Sequence, residues 1–347
     1  SFYTFQTMSY TIDIYRSEFK PINSFLDFAN FVAFFPQLVA GPIERAKNLV
    51  PQVQSFDGLV LKNIKPALTL IFLGYVKKVL ISDNISVYAD EYFLNFRDIS
   101  SMYALSGLII FSMQIYFDFS GYSDIARGIS KLMGIDLMIN FKQPYFSVKP
   151  SEFWRRWHIS LSSWLRDYLY IPLGGNRKGD FRTYINLMAT MLLGGLWHGA
   201  SWNFVLWGAM HGLYLIAEKI LIFNTSQQQI VNDYKIHKIF SALFFYVLVL
   251  FTWIPFRTSD FTSTLIFFKK IIFWTGGFDS IVVFSILFLF LILLIIDFPE
   301  YYFEERHILS KSPPWIRMPI ILFLTMFIFI EVFFNSTGAK PFIYFQF

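Results

Sequence analysis

The sequence predicts an all-α integral membrane protein, and three observations support that fold class. First, 55% of the 347 residues are hydrophobic and 15% are charged, whereas about a quarter of the residues of an ordinary soluble domain are charged. Second, the mean hydropathy is +0.48. Third, several apolar stretches reach about 20 residues, the length with which a helix crosses a hydrocarbon core of roughly 30 Å. Together they exclude a soluble enzyme, a disordered tail and a fibrous repeat.

Seven apolar stretches mark the expected helices, at 24–42, 66–82, 102–121, 184–223, 238–256, 279–298 and 316–335. The stretch 184–223 is long enough for two crossings with a break near Gly199. The stretch 24–42 contains Pro36 and Gly41 and is expected to be re-entrant, because both residue types interrupt a helix. Barrel strands would alternate apolar and polar residues. These stretches do not, so helices that satisfy their own backbone hydrogen bonds are expected.

Charge and domain organisation narrow the function classes. The absence of cysteine excludes a disulfide scaffold, a thiolate zinc site and a cysteinyl acyl-enzyme. The net charge of +5 comes from Lys and Arg spread among apolar spans, so we expect no nucleic-acid partner and interpret these charges as an orientation signal. No metal-ligand spacing or phosphate-binding glycine loop is visible. We expect one domain over 1–347 and, since Ser1 is not an initiator Met, a missing N-terminal portion.

The segment 140–183 is the most polar part of the chain. It carries eight basic and three acidic residues, and the positive-inside rule therefore places it on the cytoplasmic side. Its apolar side chains recur at helical spacing at Phe153, Trp157, Leu161, Trp164 and Tyr168. This spacing predicts an amphipathic helix in the membrane interface, beginning at Pro150 and ending at Pro172.

Three of the five histidines lie in or beside apolar helical sequence: His158, His198 and His211. Small residues flank His198, and a near-neutral imidazole there can act as a general base; a structural histidine is an equally good interpretation. His158 follows Arg155 and Arg156, which favours either an anionic nucleotide-bearing donor or lipid headgroups as the partner. His211 is expected to pack. The other two, His237 and His307, are expected in connecting loops and receive no role.

Two carboxylates, Asp118 and Asp124, are expected to end the 102–121 span. Carboxylates at a membrane boundary are typical of an aqueous cavity, or they form local pairs. Arg127 lies three residues after Asp124, a spacing that favours an ion pair on one helix face. The role of Asp118 stays open between these alternatives.

The chain resembles the membrane-bound O-acyltransferase (MBOAT) family, and within it the bacterial alginate O-acetylation branch. The matching residues are Ser1–Arg16, Phe35–Ile43, Tyr116–Asp124, Phe153–Leu161, Gly195–Ala200 and Phe342–Phe347. The resemblance implies that His198 is the catalytic histidine and His158 the second signature position. It also implies a substrate-binding set, which comprises Arg155, Arg156, Trp157, Trp197, Asn203 and Asp118. No metal and no bound cofactor are expected.

The resemblance further implies a ring of membrane helices around a central funnel or tunnel, in a multi-pass protein of the bacterial inner membrane. Acetyl-CoA on the cytoplasmic side is the expected acyl donor. An exported polysaccharide, alginate-like or peptidoglycan, is the expected acceptor, reached through a periplasmic or extracellular SGNH-hydrolase-like acetyltransferase partner. Such a protein also contacts membrane lipid. The physical reason is that charged CoA cannot cross lipid, whereas a neutral acyl group can pass through a short protein passage.

Several alternatives remain at this point. Tyr344 near the chain end is interpreted as an acyl relay or, in preference, as an interfacial aromatic anchor. The transferred unit can also be D-alanine, delivered to teichoic acid by the same type of membrane component. A noncatalytic scaffold or a transporter subunit is the third alternative, although a transporter would be expected to show matched broken helices in two halves.

Overall fold

The computed structural model describes residues 2–38, 41–56, 58, 60–224, 235–304, 308–334 and 342–343. All regular secondary structure in these ranges is helical. The α-helices are α1 Phe2–Tyr15, α2 Phe25–Val32, α3 Ala46–Gln54, α4 Ile64–Tyr75, α5 Asn84–Leu94, α6 Ser101–Leu132, α7 Pro150–Arg156, α8 Ile159–Leu165, α9 Asp180–His198, α10 Trp202–Asn224, α11 Lys235–Arg257, α12 Phe261–Ile272, α13 Ser280–Tyr302, α14 Ile308–Lys311 and α15 Pro314–Phe334. Short 3₁₀ turns are Phe35–Gln37, Leu61–Asn63 and Pro144–Phe146, and π-helical segments are Val76–Asp83 and Arg166–Tyr170.

Five of the described helices, α6, α10, α11, α13 and α15, are long and apolar enough to cross a membrane. The predicted all-α membrane class is therefore confirmed. The predicted break near Gly199 is also confirmed, because α9 ends at His198 and α10 begins at Trp202. The stretch 24–42 forms the short helix α2 and a 3₁₀ turn. His237, expected in a loop, lies in the first turn of α11.

Helix α6 is the centre of the bundle and is buried along most of its length. It packs against α4, α5, α11, α12 and α13. The sequence predicted that Asp118 and Asp124 end this helix, and that prediction is wrong, since α6 continues to Leu132. The helix passes through these polar positions because basic side chains from the neighbouring helix neutralise both carboxylates. Burying a charge is tolerable only when it is paired in this way.

Those basic side chains come from the π-helical segment that joins α4 to α5. Lys77 Nζ lies 2.7 Å from Asp124 Oδ2, and Lys78 Nζ lies 2.5 Å from Asp118 Oδ1. The predicted local pair is also present, with 3.5 Å between Arg127 Nη1 and Asp124 Oδ1. Ion pairs between the two helices thus hold α6 against its neighbour in the middle of an apolar bundle.

The predicted amphipathic helix of the 140–183 segment is not continuous. It begins at Pro150 as expected, but Trp157 is extended and His158 adopts a left-handed conformation with φ of +41°, which separates α7 from α8. The prediction also placed the apolar side in the membrane interface. Instead, Phe153 and Leu161 are 1% and 2% exposed and pack inside the protein.

A buried acid outside the spans makes the stability of the fold depend on pH. Glu44 is 1% exposed and accepts a hydrogen bond from the backbone N–H of Met138. Burial raises the pKa of Glu44 from 4.5 to about 7. Between these two pH values the folded chain binds more protons than the unfolded chain. The contribution of the protonated Glu44 to the free energy of unfolding is therefore complete below pH 4.5 and is lost as the pH rises through 7.

We therefore expect the Glu44→Gln variant to lack this pH dependence. Between pH 4 and pH 8, the free energy of unfolding of the wild type should fall relative to that of the variant by on the order of 3 kcal/mol. Detergent-induced unfolding measured across this pH range would test the expectation. Parallel pH profiles of the two proteins would contradict it.

Candidate active site

His198 is the last residue of α9, and the chain turns through 199–201 before α10 begins. Aromatic rings surround its partly buried imidazole. The ring centroids of Trp207 and Phe256 each lie 5.0 Å away, and that of Phe204 lies 6.0 Å away. These rings come from α10 and α11, so three helices meet at this histidine. These rings limit the access of water to the imidazole.

Glycines allow α9 and α10 to approach closely enough to build this cluster. A Cβ atom on Gly195 would lie 2.2 Å from the carbonyl oxygen of Phe204, and one on Gly208 would lie 2.3 Å from that of Met191. Real Cβ atoms do not make such contacts with backbone. The two helices are therefore in backbone contact, which seats the end of α9 against the aromatic side chains of α10. The small residues that flank His198 thus allow the backbone of a neighbouring helix to come close.

We expect Gly208→Ala to separate α9 from α10 and to destabilise the protein by about 1–3 kcal/mol, the usual cost of overpacking. The shift would also displace His198 from Trp207. Thermal unfolding in detergent measures the first effect, and tryptophan fluorescence reports the second. The matched control is Gly277→Ala, because a Cβ there meets no atom within 4 Å. Equal unfolding temperatures for the two variants would contradict the expectation.

The structure brings the two signature histidines together. His158 is 1% exposed, and its ring centroid lies 4.6 Å from that of Phe119 and 6.2 Å from that of Trp197. The ring of Trp197 lies 4.8 Å from that of His198. Trp197 therefore contacts both imidazoles. Residues that are far apart in the sequence form one site.

Asn140 holds the strained backbone around His158, and sequence reasoning missed this residue. Its carbonyl oxygen accepts a 2.9 Å hydrogen bond from the N–H of Ile159, and its side-chain Oδ1 accepts one of 3.4 Å from the N–H of Ser160. Its amide also donates to Ser123 Oγ on α6 at 3.1 Å. No local pattern marks this asparagine, because its partners are long-range.

Glu218 of α10 holds the beginning of α7 and was also missed. Its carboxylate accepts hydrogen bonds from the backbone N–H of Ser151 at 2.7 Å and from its hydroxyl at 2.6 Å. A carboxylate at a helix N-terminus satisfies N–H groups that have no partner within the helix. The segment that carries His158 is thus attached to the helix that carries Trp207.

The two predicted arginines differ in their surroundings. Arg155 is exposed. Arg156 forms a 2.9 Å ion pair with Glu152 and donates to the carbonyl oxygen of Lys142 at 3.0 Å, and its guanidinium lies over the ring of Tyr301. Arg155 is therefore the one that presents its charge to the surroundings, whereas Arg156 joins three parts of the protein.

Two other predicted binding residues make protein contacts. Trp157 is 2% exposed and stacks on Phe153 with ring centroids 5.5 Å apart. Asn203 donates a 2.8 Å hydrogen bond to the carbonyl oxygen of Thr258 and accepts one of 3.3 Å from Thr264. Both side chains therefore support the packing of the helices around the histidines.

Asp118 contacts the C-terminal segment. Besides its pair with Lys78, it accepts a 2.6 Å hydrogen bond from the backbone N–H of Ile343. The ring of Phe342 lies 5.6 Å from that of Phe119, which also contacts His158. The predicted relay or anchor residue, Tyr344, lies outside the described residues. The segment just before it thus packs beside the candidate site.

His211 belongs to the same aromatic cluster. It is 1% exposed and stacks on Phe153, and its ring centroid lies 4.8 Å from that of Trp207. On one continuous helix His198 and His211 would not share a face, but the break after α9 removes that restriction. Trp207 contacts both. Within the described ranges no group of three or more His, Asp or Glu side chains is arranged to hold a metal ion.

The chain is similar in sequence to known proteins over much of its length. The family model of the membrane-bound O-acyltransferases, MBOAT, matches residues 13–259. The chain is 47% identical over 260 residues to a probable alginate O-acetylase, AlgI, of Pseudomonas putida, which covers 75% of the chain and 52% of the relative.

Two further relatives are more distant. A peptidoglycan O-acetyltransferase of Helicobacter pylori is 38% identical, covering 76% of the chain and 54% of the relative. A teichoic acid D-alanyltransferase of Streptococcus thermophilus is 30% identical, and the match covers 62% of the chain and 55% of the relative. The chain spans about half the length of the curated relatives it matches. Because the family model matches most of its length, the chain belongs to the membrane-bound O-acyltransferase family.

Proposed function

We propose that the protein is an O-acyltransferase that moves an acetyl group from cytoplasmic acetyl-CoA across the inner membrane for O-acetylation of an exported polysaccharide. The observation that carries this proposal is the meeting of His198 and His158 around Trp197 inside an apolar helical bundle. Two relatives, a probable alginate O-acetylase and a peptidoglycan O-acetyltransferase, support the choice of an acetyl group and of a polysaccharide acceptor. Alginate-like polymer and peptidoglycan are the favoured acceptors.

His198 acts as the general base in this proposal. Its imidazole takes the proton of the incoming hydroxyl, the hydroxyl oxygen bonds to the acetyl carbon, and the carbon–sulfur bond of the thioester breaks. The imidazolium then returns the proton to the departing thiolate. Such a base contributes typically about 10²–10⁴-fold to the rate. The aromatic rings around the partly buried His198 limit the access of water, which would otherwise compete for the acetyl group.

His158 and Trp197 position the reacting groups. His158 is fixed by the Asn140 hydrogen bonds of its neighbours, and Trp197 contacts both imidazoles. Holding a thioester and a hydroxyl in reactive geometry removes a large entropic part of the barrier. Exposed Arg155, on the side expected to be cytoplasmic, meets the phosphates of the donor, and Arg156 keeps α7 in place.

On the outer side, the acetyl group passes to an SGNH-hydrolase-like partner that completes transfer to the polymer. Tyr344 is proposed as an interfacial aromatic anchor, and a role as acyl relay is the alternative. Its neighbours Phe342 and Ile343 are buried at 6% and 2% exposure beside Phe119, which favours a position close to the site. In the intact protein, an unchanged polymer acetyl content after Tyr344→Phe would end the relay hypothesis.

An isotope-labelling experiment tests the proposed function. Membranes containing the intact protein receive isotopically labelled acetyl-CoA, and ester-linked label is measured in the exported polymer. We expect label in the polymer only when the protein is present. Because one relative is a teichoic acid D-alanyltransferase, labelled D-alanine on its activated carrier is supplied in parallel. Incorporation of alanine in place of acetate would favour that second function.

A further inference from the structure

A groove of about 920 Å³ lies between α4 and α15, away from the histidines. Three of its lining residues are basic: Lys62 in the 3₁₀ turn before α4, Lys65 in the first turn of α4, and Arg317 in the first turn of α15. Most of the remaining lining side chains are apolar, among them Phe72 of α4 and Ile328 of α15. The groove therefore has a cationic end and a long apolar body.

Helix α14, which precedes α15, packs against α4, and α15 packs against the π-helical segment that follows α4. The two helices therefore run in the same direction, and the three basic residues lie at the same end of the groove. Arg317 Nη1 donates a 3.0 Å hydrogen bond to the carbonyl oxygen of Ser310 in α14, and α14 packs against α4. The side-chain amide of Asn63, next to Lys62, donates to the carbonyl oxygen of Lys131 near the end of α6 at 3.1 Å. That end of α6 leads into the basic 140–183 segment. The cationic end thus shares the side of the membrane that the positive-inside rule assigns to the cytoplasm.

The apolar body has the depth of one lipid leaflet. From Lys65 to Tyr75 the helix α4 rises about 15 Å, and from Arg317 to Ile328 the helix α15 rises about 16 Å, at 1.5 Å per residue. One leaflet of a hydrocarbon core is about 15 Å thick. A lipid whose headgroup lies at the basic residues would therefore place an acyl chain along the whole groove.

We propose that this groove binds an anionic phospholipid of the cytoplasmic leaflet. Lys62, Lys65 and Arg317 contact its phosphate, and one acyl chain lies between α4 and α15 along Phe72 and Ile328. Basic side chains at the inner surface attract anionic headgroups. This site lies apart from the histidines, so the proposal stands or falls independently of the acyl transfer.

The test uses the intact protein in nanodiscs of phosphatidylcholine with one fifth phosphatidylglycerol, and native mass spectrometry counts the lipids that stay bound. We expect the double variant Lys62→Gln, Lys65→Gln to retain at least tenfold less phosphatidylglycerol than the wild type. The matched control, Arg177→Gln with Lys178→Gln, removes two exposed basic residues elsewhere on the same side and should retain it fully. Equal retention by the two double variants would overturn the proposal.

A second variant tests the apolar part. Ile321→Trp narrows the groove and leaves the three basic residues in place. We expect it to lose the bound phosphatidylglycerol as well. Full retention of phosphatidylglycerol by this variant would overturn the proposal. So would a crosslink that joins the cysteine of an Ile321→Cys variant to another protein segment in place of lipid.

Discussion

Replacing His198 by Ala is expected to lower acetyl transfer by about 10²–10⁴-fold, because the variant lacks the base that takes the proton of the acceptor hydroxyl. The imidazole lies among the rings of Trp207, Phe204 and Phe256, so bulk water cannot readily replace it. Labelled acetyl ester in the polymer, measured after supplying labelled acetyl-CoA, gives the rate. The amount of protein in the membrane is measured in the same samples.

The matched control is His237→Ala, which removes an exposed histidine in the first turn of α11. This variant should keep the full rate. If His198→Ala inserts normally and the acetyl content of the polymer does not change, the protein is a noncatalytic scaffold, and the proposed role of His198 is wrong. If both variants lose activity together, the effect is not specific to the site.

Asp124→Ala is expected to destabilise the protein by about 3–5 kcal/mol, the usual cost of removing one partner of a buried ion pair. The side chains of Lys77 and Asp124 are 13% and 16% exposed, and their charged atoms lie 2.7 Å apart. In the variant, the ammonium group of Lys77 keeps its 3.0 Å hydrogen bond to Ser120 but loses its ion pair with Asp124. Unfolding by SDS in mixed micelles measures the change in free energy.

The chain offers a closely matched control in Asp136. Lys131 Nζ lies 2.6 Å from Asp136 Oδ1, but the side chain of Asp136 is 74% exposed. Removing it should change the free energy of unfolding by only about 0–1 kcal/mol, because water solvates the remaining ammonium group. Similar losses for Asp124→Ala and Asp136→Ala would show that burial does not strengthen the interior pair.

Helix positions were predictable because each span must be apolar over its whole length. The stretches 238–256, 279–298 and 316–335 correspond to α11, α13 and α15. The break near Gly199 was equally visible, since a glycine between two apolar runs ends a helix. The end of α6 was not, because Asp118 and Asp124 resemble helix-ending polar residues until their partners Lys77 and Lys78 are known.

The path of the chain around His158 also escaped prediction. Regular spacing from Phe153 to Tyr168 indicated one helix, yet His158 is left-handed, a conformation that costs free energy in a residue other than glycine. Hydrogen bonds from the neighbouring residues to Asn140 stabilise it. Periodicity reports only which side chains can share a face and carries no information about such a distant partner.

The sequence by itself determined the membrane class and most of the spans, since hydropathy is a local property, and its resemblance to the family implied the two signature histidines. The tertiary structure alone decided that both histidines contact Trp197, that lysines neutralise the carboxylates inside α6, and that a basic groove opens between α4 and α15. These features join residues from separate helices. Packing brings such residues together, and no pattern along one helix encodes it.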